Sequence, residues 1–91
     1  MALIFDGMAC AICERPLDTK GSFVATSAFI DEPSDPLWRF SDAAMHYDCF
    51  QRWEHRHEFV SKYNATMGSI VWGNGTRHHM KADGSIESVP A

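Results

Sequence analysis

Ninety-one residues carrying a net charge of −4 make one small domain with little room for a core. A chain this short buries only roughly 60–65% of its unfolded surface, and such domains are commonly reinforced by disulfides or a metal. The longest apolar runs fall far below the roughly 18 residues of a membrane span, and Met1-Ala2-Leu3-Ile4-Phe5-Asp6 lacks the basic region of a signal peptide, so the expectation is a soluble, cytoplasmic protein with no membrane partner.

The charge is unevenly placed. Residues 1–50 carry three basic against eight acidic side chains, a net −5, whereas residues 51–91 carry five against four, a net +1. An acidic first half is poorly suited to gripping phosphates, because that affinity comes from Lys and Arg. It suits a basic partner.

In chain order, Ala2–Phe5 reads as a short strand ending at the turn Asp6-Gly7. Residues 15–21 read as a loop. Ser22–Ile30 follows as a strand rich in β-branched and aromatic residues. Pro33 and Pro36 interrupt it, and Leu37–Phe40 reads as the returning strand of a hairpin. From Ala43 to about Tyr63 the chain is free of Gly and Pro. Ser41 or Asp42 can cap a long helix there, whose inner face would carry His46, Cys49, Phe50, Trp53, His57 and Val60, with Asn64 ending it. Beyond it, Ser69–Trp72, Thr76–Lys81 and Ser85–Val89 are short runs separated by Gly73-Asn74-Gly75 and Ala82-Asp83-Gly84, which is hairpin-turn chemistry. The fold class expected is α+β: a single domain with residues 1–63 followed by a C-terminal antiparallel meander over residues 64–91.

All three cysteines fall into two chelating pairs. Cys10 and Cys13 form a Cys-x2-Cys pair, and His46 and Cys49 form a His-x2-Cys pair. Four soft or borderline ligands in this pattern are what a tetrahedral Zn²⁺ needs. Two pairs on distant parts of the chain would close a long loop through the ion, coupling metal binding to folding. A thioredoxin-like redox role leaves His46 and Cys49 unused, and haem attachment needs His where Glu14 stands. An odd number of cysteines in a metal-type spacing also favours a reducing compartment over a disulfide framework.

Cys-x2-Cys, a β-hairpin, then a helix opening with His-x2-Cys resembles the treble-clef zinc-finger superfamily, over roughly residues 8–60. The string His46-Tyr47-Asp48-Cys49-Phe50 is similar to the end of the first zinc module of a LIM domain, but no Cys-x2-Cys follows Phe50, so the second module is absent. The resemblance implies a small treble-clef domain with a closed Cys3His zinc site at Cys10, Cys13, His46 and Cys49. Treble clefs serve protein binding, nucleic-acid binding and nuclease scaffolds, so the fold does not name a function.

Four other histidines remain. His55 and His57 are about 200° apart on a helix, with His57 expected to face the core and His55 the solvent. His78 and His79 are adjacent in an expected strand, so they point to opposite faces. A closed Cys3His zinc has no open coordination position for water. The sequence therefore predicts no catalytic residue, and a protein-interaction module rather than an enzyme. The alternatives are a nucleic-acid-binding finger using Arg52, Arg56, Lys62, Arg77 and Lys81, or a metal-dependent hydrolase or nuclease using His78 or His79. Trp38, Trp53 and Trp72 are expected to build the core; an exposed Trp38 or Trp72 would instead be an interface anchor.

Overall fold

A computed structural model describes residues 4–91 of the chain. It divides into two compact units, one ending at Trp53 and the other spanning Glu54–Ala91. Both combine strand and helix, as an α+β protein should. No helix among the described residues is long and apolar enough to cross a membrane.

The first unit opens with a knuckle rather than a strand. Ala2 and Leu3 of the expected first strand lie outside the described residues, and Ile4 and Phe5 are not in a strand. A single bridge between Ala9 and Pro16 closes the loop that carries Cys10 and Cys13. Strand β1 (Phe23–Ala25) pairs antiparallel with β2 (Ala44–His46), placing Phe23 opposite His46 and Ala25 opposite Ala44.

The hairpin partner is thus not Leu37–Phe40. The Asp35 carboxylate accepts the Leu37 N–H at 2.9 Å and its carbonyl accepts the Trp38 N–H at 2.9 Å, winding Trp38–Phe40 into a 3-10 turn. The Ser41 hydroxyl accepts the N–H groups of Phe29 and Ile30, and Asp42 takes a left-handed φ of 56°, which swings the chain back toward β1. Neither Ser41 nor Asp42 caps a helix. Phe29, Ile30 and Leu37 are buried through this loop, as are Leu17, Val24, Met45 and Phe50 of the same unit.

The expected long helix is two helices. Helix α1 (Tyr47–Gln51) starts directly from β2, and helix α2 (Arg56–Thr66) begins after a break at residues 52–55. No Gly or Pro marks the break. Trp53 instead donates its N–H to the Phe50 carbonyl at 3.2 Å, and its ring packs 4.6 Å from Phe40 and 6.0 Å from Phe50. Aromatic packing therefore overrides local helix propensity here. The face that α2 buries also differs from the expected one: Phe59 and Tyr63 are inside, while His57 is exposed.

In the second unit α2 runs on into a 3-10 turn over Met67–Ser69, so Asn64 lies within the helix instead of ending it. The Asn64 amide clasps the backbone of Met80, donating to its carbonyl at 3.1 Å and accepting its N–H at 2.8 Å. Two of the three expected C-terminal strands form: β3 (Thr76–Met80) and β4 (Ile86–Pro90) pair antiparallel, with Met80 opposite Ile86. Residues 70–72 are irregular, although Trp72 donates its N–H to the Thr76 carbonyl at 2.8 Å. Gly75 and Gly84 take φ of 80° and 90° in the flanking turns, a conformation that favours glycine.

Candidate metal centre

Two local structures of the first unit bring the four predicted ligands together. The Cys10–Cys13 turn is tied by the Cys10 N–H to the Arg15 carbonyl at 2.9 Å and by the Glu14 N–H to the Cys10 carbonyl at 2.8 Å. Within this closed turn Glu14 takes a left-handed φ of 66°. The Ala11 N–H donates to the Ala44 carbonyl at 2.9 Å, joining the knuckle to β2.

His46 is the last residue of β2 and the cap of α1, with an extended ψ of 142°, and Cys49 sits one turn into the helix. His46 and Cys49 thus span a strand-to-helix junction instead of sharing the first turn of one helix, as their spacing suggests. The junction still aims both side chains at the knuckle.

One ligand atom from each of Cys10, Cys13, His46 and Cys49 lies within 4.8 Å of the others, so the group can hold a metal ion. A tetrahedral site with M–S near 2.3 Å and M–N near 2.0 Å needs N···S separations of roughly 3.6 Å. His46 Nδ1 lies 3.3 Å from Cys13 Sγ and 3.7 Å from Cys49 Sγ, bracketing that value. The other ring nitrogen, Nε2, is 3.1 Å from the Pro16 carbonyl oxygen. A carbonyl only accepts, so Nε2 carries the proton and Nδ1 presents its lone pair to the sulfurs. That is the outer-sphere arrangement metal-binding histidines normally have.

The three thiols are free, and their environments differ. Cys10 is fully buried, and burial alone would push its thiol up. The N–H groups of Cys13, His46 and Ile12 directed at its sulfur, together with the Cys13 thiol, outweigh burial and hold it at about 7, below the ordinary 9.0. Cys49 goes the other way. Burial, its hydrogen bond with Cys13 and the negative charge of Cys10 and Cys13 push it up to about 11. Three sulfurs this close cannot all ionise without a cation among them.

A cleft of about 810 Å³ opens beside the centre, with Arg15, Ser22, Tyr47, Asp48 and Arg52 on its walls and Cys13 exposed to it. Sequence reasoning missed Arg15 and Tyr47, although each stands within two residues of a predicted ligand, Cys13 or His46, and that adjacency was the available signal.

The remaining histidines belong to the second unit. His55 is half-buried, with Nε2 3.4 Å from Glu54 and Nδ1 3.9 Å from Glu58, where solvent exposure was expected. The His78 ring packs 5.0 Å from that of Trp72. His79 is exposed and shares a cleft with His57. Trp38 and Trp72, expected in the core, are 46% and 38% exposed.

No protein-family model matches the chain, and neither a curated protein nor a solved structure matches it.

Proposed function

We propose that the chain is a small zinc-stabilised module whose work is to bind another protein. Its metal centre would be the structural Cys3His zinc site of a treble-clef-like finger. The observation that carries this reading is the donor set itself: three sulfurs and one imidazole nitrogen lie within 4.8 Å of one another and would fill the four positions of a tetrahedral ion. Thiolate and imidazole donors favour zinc over hard cations, which take oxygen ligands. Such a set leaves no coordination position for a reacting water, so the role is structural and not catalytic. The knuckle, the β1–β2 pair and a helix entered through His46 support the treble-clef likeness, although α1 is far shorter than the resemblance implies.

Trp38 supports the binding role. It is nearly half exposed in a unit dominated by acidic side chains, and Trp is the side chain most enriched among interface anchors. Acidic surroundings suit a basic protein partner in a reducing compartment such as the cytoplasm. The nucleic-acid alternative has weaker support: its five basic residues share residues 51–91 with four acidic side chains, a net of only +1.

Elemental analysis of the purified protein tests the first half of the reading: about one zinc per chain is expected, and Cys49→Ser should lose it. A salt titration against mixed-sequence DNA and RNA tests the second. No tight binding is expected, and a strong, steeply salt-dependent affinity would overturn the assignment.

A further inference from the structure

The second unit has a cleft of its own, about 510 Å³, between α2 and β3. His57, Ser61 and Asn64 line it from the helix, four and three residues apart and so on one helical face. His79 and Lys81 line it from β3 and the residue after it, with Met80 between them. The Asn64 clasp on the Met80 backbone holds the two walls together.

The chemistry of this lining is one-sided. His57, Ser61, Asn64, His79 and Lys81 can all donate a hydrogen bond, and no carboxylate is among the lining residues. Neither the His57 nor the His79 imidazole has a hydrogen-bond or ion-pair partner among the described residues. Of the acidic groups on the packed elements, Glu87 stands opposite His79 in the β3–β4 register and is the one a bound anion would have to displace, whereas Glu58 and Asp83 are engaged elsewhere. Glu58 lies 3.9 Å from His55, and Asp83 accepts the N–H and hydroxyl of Ser85 at 2.9 and 2.6 Å. Glu87 pairs with Lys81 across a solvent-exposed 3.6 Å, a contact weak enough for a bound anion to compete with.

We propose that this cleft binds the dianionic phosphate of a phosphate monoester, held by Lys81, His57 and His79, with Ser61 Oγ as a neutral donor. The Lys81 ammonium answers the charge of about −1.5 to −2 on a monoester near pH 7, and the N–H and O–H donors of His57, His79 and Ser61 answer its three terminal oxygens. A carboxylate or a phosphodiester carries one charge and uses the lining less fully. The inference is independent of the metal assignment, because none of these residues is a proposed ligand.

Binding should depend on the charge of the ligand, since the monoester gains its second negative charge above about pH 6.

The metal-loaded full chain should be titrated calorimetrically at pH 6.5 with glycerol 2-phosphate, a short phosphoserine peptide and oligothymidylate. Saturable millimolar or tighter binding of the monoester is expected. His57→Gln, His79→Gln and Lys81→Gln should each lower affinity by roughly tenfold, the usual loss for a charged hydrogen-bond partner. Circular dichroism and metal content should stay unchanged, since all three side chains are exposed. Equal affinity for glycerol phosphate and peptide would identify a free monoester, and tighter peptide binding a phosphorylated side chain; both support the proposal. No saturation by about 10 mM, which corresponds to a free energy weaker than about 3 kcal/mol, would overturn it. Indifference to all three substitutions, or oligothymidylate binding tightest through the same residues, would overturn it too.

Discussion

Removing the metal should cost the first unit most of its stability, and the magnitude follows from chain topology. The ion would join Cys13 to His46 across a sequence separation of 33 residues. Treated as a cross-link closing a loop of that length, it removes about 12 cal/mol/K of unfolded-chain entropy, or about 4 kcal/mol at 25 °C. A domain this small has only about 5 kcal/mol to lose. At about 4–8 °C per kcal/mol for a domain of this size, the melting temperature should fall by at least about 15 °C, or the transition should disappear. The assay is thermal melting by far-UV circular dichroism of the zinc-loaded protein, of the protein stripped with chelator, and of Cys49→Ser. Trp53 fluorescence reports on the first unit, because its ring packs on Phe40 and Phe50. If the stripped protein melts within about 5 °C of the loaded one, the cluster is a group of buried thiols and not a staple.

Five smaller effects can be measured on this protein and its variants. Zinc uptake should release about one proton fewer at pH 8 than at pH 6, because Cys10, at about 7, is already a thiolate at the higher pH; calorimetry in buffers of different ionisation enthalpy counts the protons. In the metal-free chain the same shifts set the stability. The contribution from Cys10, depressed below 9.0, is present above about pH 9 and lost as pH falls through 7, whereas that from Cys49, raised to about 11, is present below about pH 9 and lost as pH rises through 11. Thr26→Val should stabilise by about 1 kcal/mol in denaturant melts, since Thr26 is buried and its hydroxyl has no partner among the described residues. Glu14→Gly should stabilise by about 0.5–1 kcal/mol by relieving a left-handed residue, at the expense only of an exposed 3.9 Å contact with Arg39. Asn64→Ala should destabilise the second unit by about 2–3 kcal/mol and speed exchange of the Met80 amide, whose acceptor it removes.

The sequence reveals the centre more fully than the fold around it. Ligand spacing is chemistry written in local sequence, so Cys10, Cys13, His46 and Cys49 group together from their spacing alone, and their atoms do converge. The turns at Gly75 and Gly84 are legible for the same reason, because the backbone conformation they adopt is a residue property. What cannot be read is non-local. The break before α2 carries no helix-breaking residue and follows from Trp53 packing on Phe40, thirteen residues earlier in the chain. The partner of β1 is hidden because Leu37–Phe40 has strand-like composition, while a carboxylate at Asp35 and a hydroxyl at Ser41 decide the path.

The true partner of β1 also determines how the centre is built. With Leu37–Phe40 as the returning strand, His46 would stand inside a helix, free to turn with its neighbours. As the last residue of β2 it is held from three sides. Its backbone pairs with Phe23, its N–H points at Cys10 Sγ at 3.3 Å, and its ring is fixed by the Pro16 carbonyl. Pro16 is also the residue whose bridge to Ala9 closes the knuckle. The knuckle therefore holds two ligands and, through Pro16, orients a third. Because the knuckle and the β1–β2 pair share these contacts around one cluster, loss of an ion bound there should loosen both together.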